Sequence, residues 1–216
     1  MLTRDDQTVI DCLDVVDSIA SVHLEHIGFK DVGVPLDTLR ELHSRIKAQG
    51  ATSYLEVVST TKEDALASAR MAVELGVDVL LGGTWADDIL PILEGTGIAY
   101  LPFPGTPIGH PTVLYGDDAE IERHTAAYSA AGCAGVDLLA YRAADADPVD
   151  LVRAARRGTA GTVVVAGSIR NVAQIEEIRE AGADAFTVGA AAMTGDFAPR
   201  SGSLVAQLRA ILEAAK

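Results

Sequence analysis

The chain predicts an α/β protein, a single (β/α)8 TIM barrel that spans residues 1–216. Three observations point there. A phrase of helical pattern, glycine turn and short apolar run recurs six times, as in "ALASARMAVELGVDVLLGG" and "LVRAARRGTAGTVVVAGS". Several of the apolar runs are continuous rather than alternating, which is the mark of strands covered by helices on both faces. The 216 residues suit one barrel, and no linker or composition break divides them. An open doubly wound sheet is the rival, but its GxGxxG turn is missing after the early strands.

In chain order, Gln7–Asp11 is the candidate first strand, followed by a helix from about Leu13. Leu13, Val16, Ala20, Leu24 and Ile27 give that helix an apolar stripe at three- and four-residue spacing. A helix that starts near Asp5 would remove this strand. Gly28–Val32 is the second strand. Strands three to eight are Ser53–Val58, Val77–Leu81, Ala99–Phe103, Val136–Tyr141, Thr162–Ala166 and Ala185–Val188. Six times a glycine sits between a helical pattern and the strand after it, because glycine accepts the left-handed backbone of a helix C-terminus. The stretch "PFPGTPIGHPTVLYGDD", Pro102 to Asp118, holds four of the eight prolines. It leaves the C-terminal end of a strand, where barrel active sites sit, so it reads as a lid or pocket wall.

Seventeen basic against thirty-one acidic residues give a formal charge of -14. Such a surface repels phosphodiester backbones and argues against nucleic-acid partners, but it allows a locally positive pocket for a small anion. No apolar run reaches the ~18 residues that a membrane span needs. The acidic start does not read as a signal peptide, so a cytoplasmic protein is expected. Cys12 and Cys133 show no metal spacing and read as buried apolar residues.

The last third reads "VVVAGSIRNVAQIEEIREAGADAFTVGAAAM", with two strands that end in nearly bare backbone. A phosphate needs close approach of backbone N–H groups, and loops after the last two barrel strands commonly bind one. Gly167, Ser168, Gly189 and Ala190 are therefore candidate phosphate ligands, with a helix from about Asn171 aimed at the strand ends. Tight strand-to-helix packing would select the same small residues.

This segment resembles the closing half of the ribulose-phosphate-binding barrels. Those include the 3-keto-gulonate-6-phosphate decarboxylase group, the phosphoribosyl isomerases of histidine biosynthesis and the aminosugar-phosphate epimerases. The resemblance implies a phosphorylated substrate and a homo-oligomer. Asp31 in "DVG" matches the decarboxylases' acid on strand two, and Arg142 matches an arginine near the end of strand six. Glu56 in "EVVSTT" stands where their Asp-x-Lys-x-x-Asp begins, without its lysine. Asp11 is a match for the isomerases' first acid, but "PFPG" supplies no second one on strand five.

Polar residues at strand ends are the candidates for chemistry. Lys30 either attacks a carbonyl as a free amine, acts as a base, or stays protonated and stabilises an enolate or phosphate. Asp31 and Glu56, on neighbouring strands, form a donor pair for Mg²⁺ or else orient and offset Lys30. Asp137 and Arg142 are candidate substrate ligands; the Arg142 fork suits a phosphate, or a surface pair with Asp145 or Asp147. His110, in the long loop, is a candidate general acid that arrives on closure. Gly82 and Gly83 either open a strand end to a ligand or simply start the next loop, and the lone tryptophan, Trp85, either floors a pocket or packs under a loop. His23 and His26 sit three apart on the first helix without a third metal ligand, and His43 and His124 read as helix residues. The expected function is a lyase or isomerase for a small phosphorylated sugar or sugar acid, working through an enediolate-type or Schiff-base step. Mg²⁺ is the candidate cofactor and no nucleotide cofactor is expected. The alternative is a non-catalytic sensor barrel for a phosphate ligand.

Overall fold

The computed structural model describes residues 1–216. Four consecutive parallel strands form one sheet: β3 (His26–Lys30), β4 (Thr52–Val57), β5 (Val79–Gly82) and β6 (Ala99–Leu101). A second parallel sheet holds β9 (Gly135–Leu138), β10 (Thr162–Val165) and β11 (Ala185–Phe186). Two seams join them. At the first, Ala134 N donates to Tyr100 O at 2.9 Å and Asp137 N to Pro102 O at 3.0 Å. At the second, the N-terminal residues lie between the sheets: Leu2 N donates to Gly28 O at 2.7 Å and the Met1 nitrogen to Val188 O at 3.0 Å. These bonds bring the two sheets together as a (β/α)8 barrel, with the N-terminal residues, including β1 (Thr3–Arg4), in the place of its first strand.

That strand differs from the expected Gln7–Asp11. β1 (Thr3–Arg4) turns back on β2 (Gln7–Thr8) in an antiparallel hairpin. The two turn residues, Asp5 and Asp6, have φ of 52° and 58°. Positive φ at both positions is the signature of a two-residue type I′ turn, and Asp is among the residues that tolerate it. Asp11 lies beyond the hairpin as the exposed N-cap of α1 (Cys12–Ser18). The expected long first helix also stops early. A single turn of 3-10 helix, Ala20–Val22, follows it and ends on His23 at φ 56°. His23 and His26 therefore do not share a helix, and Leu24 and Ile27 belong to the connection and to β3.

Eight helices pack outside: α1, α2 (Leu36–Ala48), α3 (Lys62–Leu75), α4 (Ala86–Leu93), α5 (Asp118–Ala131), α6 (Pro148–Gly158), α7 (Val172–Glu180) and α9 (Leu204–Ala214). The short α8 (Ala190–Thr194) intervenes after β11. Side chains of Thr61, Asp117, Asp147, Asn171 and Ser203 cap the starts of α3, α5, α6, α7 and α9 by accepting free backbone N–H groups. The stretch expected to be irregular contains an antiparallel hairpin, β7 (Thr106–Ile108) with β8 (Val113–Tyr115). It stands over the C-terminal ends of the barrel strands.

Alternation along the strands decides what faces inward. Phe29, Leu55 and Leu80 pack outward against the helices in one apolar cluster, and Val136, Leu138, Val163 and Val165 do so in a second. Their neighbours must then face the barrel interior. Leu81, Leu101 and Val164 form a small apolar cluster there. Lys30, Glu56, Leu81 and Leu101 pair in register across β3 to β6, and Asp137 pairs with Val164. Three ionisable residues thus share a barrel interior with only a thin apolar layer.

Candidate active site

Lys30, Glu56 and Asp6 are 3%, 3% and 5% exposed. Lys30 Nζ donates to Asp6 Oδ1 at 2.8 Å and to Glu56 Oε1 at 3.2 Å. Arg142, on the turn after β9, forks onto both oxygens of Asp6 at 2.6 and 2.7 Å. Thr112 N, from the β7–β8 hairpin, donates to Asp6 Oδ2 at 2.9 Å. Thr8 fixes the Lys30 backbone by exchanging hydrogen bonds through its hydroxyl. Asp6 is thus the hub, and sequence reasoning passed over it in favour of Asp11. The signal was present in "TRDDQT", where two residues able to adopt positive φ separate β-forming neighbours.

Burial sets these groups against one another. It pulls the Lys30 ammonium down, but the Glu56 and Asp6 carboxylates more than offset this and hold its pKa above the ordinary value. Burial pushes Asp6 up, yet the hydrogen bonds from Arg142 and the charge of Lys30 hold it well below the carboxylate range. Asp137 is 0% exposed, and neither of its oxygens has a hydrogen-bond partner. Desolvation, and after it the negative charge of Glu56, drives its pKa well above the ordinary carboxylate value, which favours the protonated form. The charge that bears on it most is that of Glu56, which lines the cavity described next.

A cavity of about 430 Å³ opens above the cluster. Lys30, Glu56, Asp6 and Arg142 line it, and so do Gly167, Ser168, Gly189 and Ala190. The two small-residue corners therefore face one space. Its cationic side chains, Arg4, Lys30, Arg142 and Arg170, outnumber Asp5, Asp6 and Glu56. A positive pocket in a chain of net charge -14 is a local inversion. The bare backbone at both corners also has a packing reason. A Cβ on Gly167, at φ 77°, would collide with the Arg142 guanidinium, and one on Gly189 would come within 2.5 Å of Thr3 Oγ1 at the barrel seam. Gly167 makes room for a cation beside the corner, and Gly189 lets the first strand close the barrel.

The other sequence candidates lie elsewhere. Asp31 is one residue past Lys30 and faces the opposite way. Its carboxylate accepts from Val58 N at 3.2 Å, Ser59 Oγ at 2.9 Å and Ser68 Oγ at 2.7 Å. Asp31 and Glu56 are thus turned to opposite faces of the sheet and share no space for one cation. The donor set does not fit a divalent ion: Asp6 is taken up by Arg142 and Lys30, and no three His, Cys, Asp or Glu side chains gather at one point. His110 borders a separate surface pocket with Asp31 and Asp64. Gly82 serves packing, since a Cβ there would come within 2.5 Å of Val57 O and 2.8 Å of the Phe103 ring. Gly83 and Trp85 line a second cavity under the hairpin.

No protein-family model matches the chain, and no curated protein matches it. Solved structures do. A 3-hexulose-6-phosphate synthase aligns over 96% of this chain and 95% of its own, with TM-score 0.66 and 16% identity. An orotidine 5′-phosphate decarboxylase from Pyrococcus horikoshii OT3 aligns over 94% and 92%, with TM-score 0.66 and 14% identity. A structure described as native KDPGal aligns over 98% and 91%, with TM-score 0.63 and 12% identity. At these identities the likeness is one of fold, and it supports the barrel over the open sheet. No helix is long and apolar enough to cross a membrane.

Proposed function

We propose that the chain is a lyase or isomerase for a small phosphorylated sugar or sugar acid, and that it works by stabilising an enediolate. The observation that carries the proposal is the shared cavity: the Gly167–Ser168 and Gly189–Ala190 corners and the Lys30–Glu56–Asp6 cluster open into one space. The names of two structural neighbours, a hexulose-phosphate synthase and an orotidine-phosphate decarboxylase, support a phosphorylated substrate.

The phosphate sits at the small-residue corners, held by backbone N–H groups, the start of α8 and the Arg142 guanidinium beside Gly167. This leaves the carbonyl end of the sugar over Lys30 and Glu56. Lys30, held protonated by two carboxylates, faces the oxygen on which negative charge develops. Its raised pKa supports the enediolate step over a Schiff base, which needs a free amine. Glu56, tied to Lys30 through one oxygen, takes the proton from the adjacent carbon. Asp6 anchors both cations, and the charge of Glu56 together with burial favours the protonated form of Asp137. Positive charge at the reacting oxygen comes from Lys30, so the step needs no metal from this donor set.

Enediolate formation is readable without knowing the product. The protein, incubated in D₂O with a panel of ketose and aldose phosphates, exchanges the proton next to the carbonyl of its substrate, followed by NMR. Lys30→Gln lowers that exchange by about 10²–10³-fold, the usual loss when one donor to an oxyanion is removed. A panel that binds and shows no exchange would contradict the proposal and leave the sensor barrel.

A further inference from the structure

The mechanism leaves a whole cavity unused. It measures about 430 Å³ and lies at the same end of the barrel, over the ends of β4, β5 and β6 and beneath the β7–β8 hairpin. None of the residues that line it carries a charge. That is unusual in a chain with 31 acidic and 17 basic residues. Thr60, Thr84, Trp85 and Phe103 give it its character: two hydroxyls and two aromatic rings.

The two cavities are neighbours. Thr112 borders both, and the consecutive residues Glu56 and Val57 border one each. The hairpin therefore divides one barrel mouth into an ionic half and a neutral half. Ligand pockets usually measure about 300–1,000 Å³, so the ionic half alone accommodates a phosphorylated sugar. The neutral half is then surplus to such a substrate.

We infer that the neutral cavity seats the part of the substrate remote from its phosphate, and that this part is an uncharged ring bearing hydrogen-bonding groups. Trp85 and Phe103 offer apolar surface to a ring, and Thr60 and Thr84 offer donors and acceptors at its edge. An ionised group would lose its hydration there and meet no counter-charge. The phosphate reading fixes which end of the substrate is which; the cavity itself stands without it.

Trp85 is the only tryptophan, so its fluorescence reports this cavity alone. The probes are the four common nucleoside 5′-monophosphates, the matching nucleosides, and ribose 5-phosphate as the same sugar phosphate without the heterocyclic ring of a base. At least one nucleoside monophosphate binds about tenfold or more tighter than ribose 5-phosphate, roughly 1.4 kcal/mol. It also shifts Trp85 emission, and ribose 5-phosphate does not. Thr84→Phe fills the cavity and removes the advantage of the ring, while affinity for ribose 5-phosphate stays within about twofold. Four monophosphates that bind no tighter than ribose 5-phosphate, or that bind with Trp85 silent, overturn the inference. Nucleosides that move Trp85 while ribose 5-phosphate fails to bind would overturn the phosphate reading and leave the ring cavity standing. Silence from every probe overturns both.

Discussion

Asp137 and Asp6 are two aspartates of one interior, pushed in opposite directions. Asp137 has a native pKa far above the ordinary value of about 3.9, because it is desolvated and faces Glu56. The native state therefore holds its proton after the unfolded chain has lost it. The stability that this lends is complete below about pH 4 and is lost as pH rises toward the native value. Asp137→Asn keeps the shape and removes the titration, so its stability relative to wild type grows from pH 4 to pH 8 in urea melts. Asp6 behaves in reverse. Its native pKa lies well below the ordinary value, so its contribution is present above about pH 4 and is lost as pH falls. Asp6→Asn strands Lys30 and half of the Arg142 fork, and costs about 3–5 kcal/mol at pH 7. That deficit narrows in the same melts as pH drops below 4.

The sequence picks out Lys30, Glu56, Asp137 and Arg142 because each is a polar residue within or just past an apolar run, and the structure brings all four to one barrel interior. Asp31 was misleading for a reason also legible in the sequence: it adjoins Lys30, and a strand cannot turn two successive side chains to one face. Asp6 was hidden because it lies in a turn between two strands too short to show a pattern.

The strands after the first lie within three residues of their expected bounds, because each is a mainly apolar run and all but β3 follow a glycine. The β7–β8 hairpin was not legible. Pro107 lies within β7, and a proline argues against a strand unless that strand is an edge. Here it is one, since β7 pairs only with β8. The hairpin is sited by Gly105 at φ 85°, where a Cβ would come within 2.8 Å of Ile121 and Leu114. Gly105→Ala therefore destabilises the protein by about 1–3 kcal/mol through strain and overpacking. It also shifts Thr112 off Asp6, and lowers exchange activity more than a destabilised but correctly placed hairpin would. Comparing the activity and the denaturation midpoint of this variant separates the two effects.

Closure of the barrel depends on a first strand that adds few hydrogen bonds but much packing. Leu2 is 3% exposed within the same apolar cluster as Phe29 and Leu42. Leu2→Ala leaves a cavity at the seam and costs about 2–5 kcal/mol in a denaturant melt. The same closure delivers Asp6 to Lys30 and Arg142, so the seam that completes the fold also completes the site. The molecule as a whole is acidic, and the cation-rich cavity is a local exception that an anionic ligand would seek.

The most direct measurement is calorimetric and thermal titration with ribose 5-phosphate and inorganic phosphate, on the wild type and on Ala190→Asp. Ala190 is exposed and opens α8, so an aspartate there suits the helix start but sets a negative charge in the corner. In the wild type, ligand at about 100 times its dissociation constant stabilises by about 2.7 kcal/mol, a rise of roughly 5–10 °C in Tm. Ala190→Asp keeps its unliganded Tm and loses that rise. A variant that binds as the wild type does would place the anion elsewhere and contradict the account.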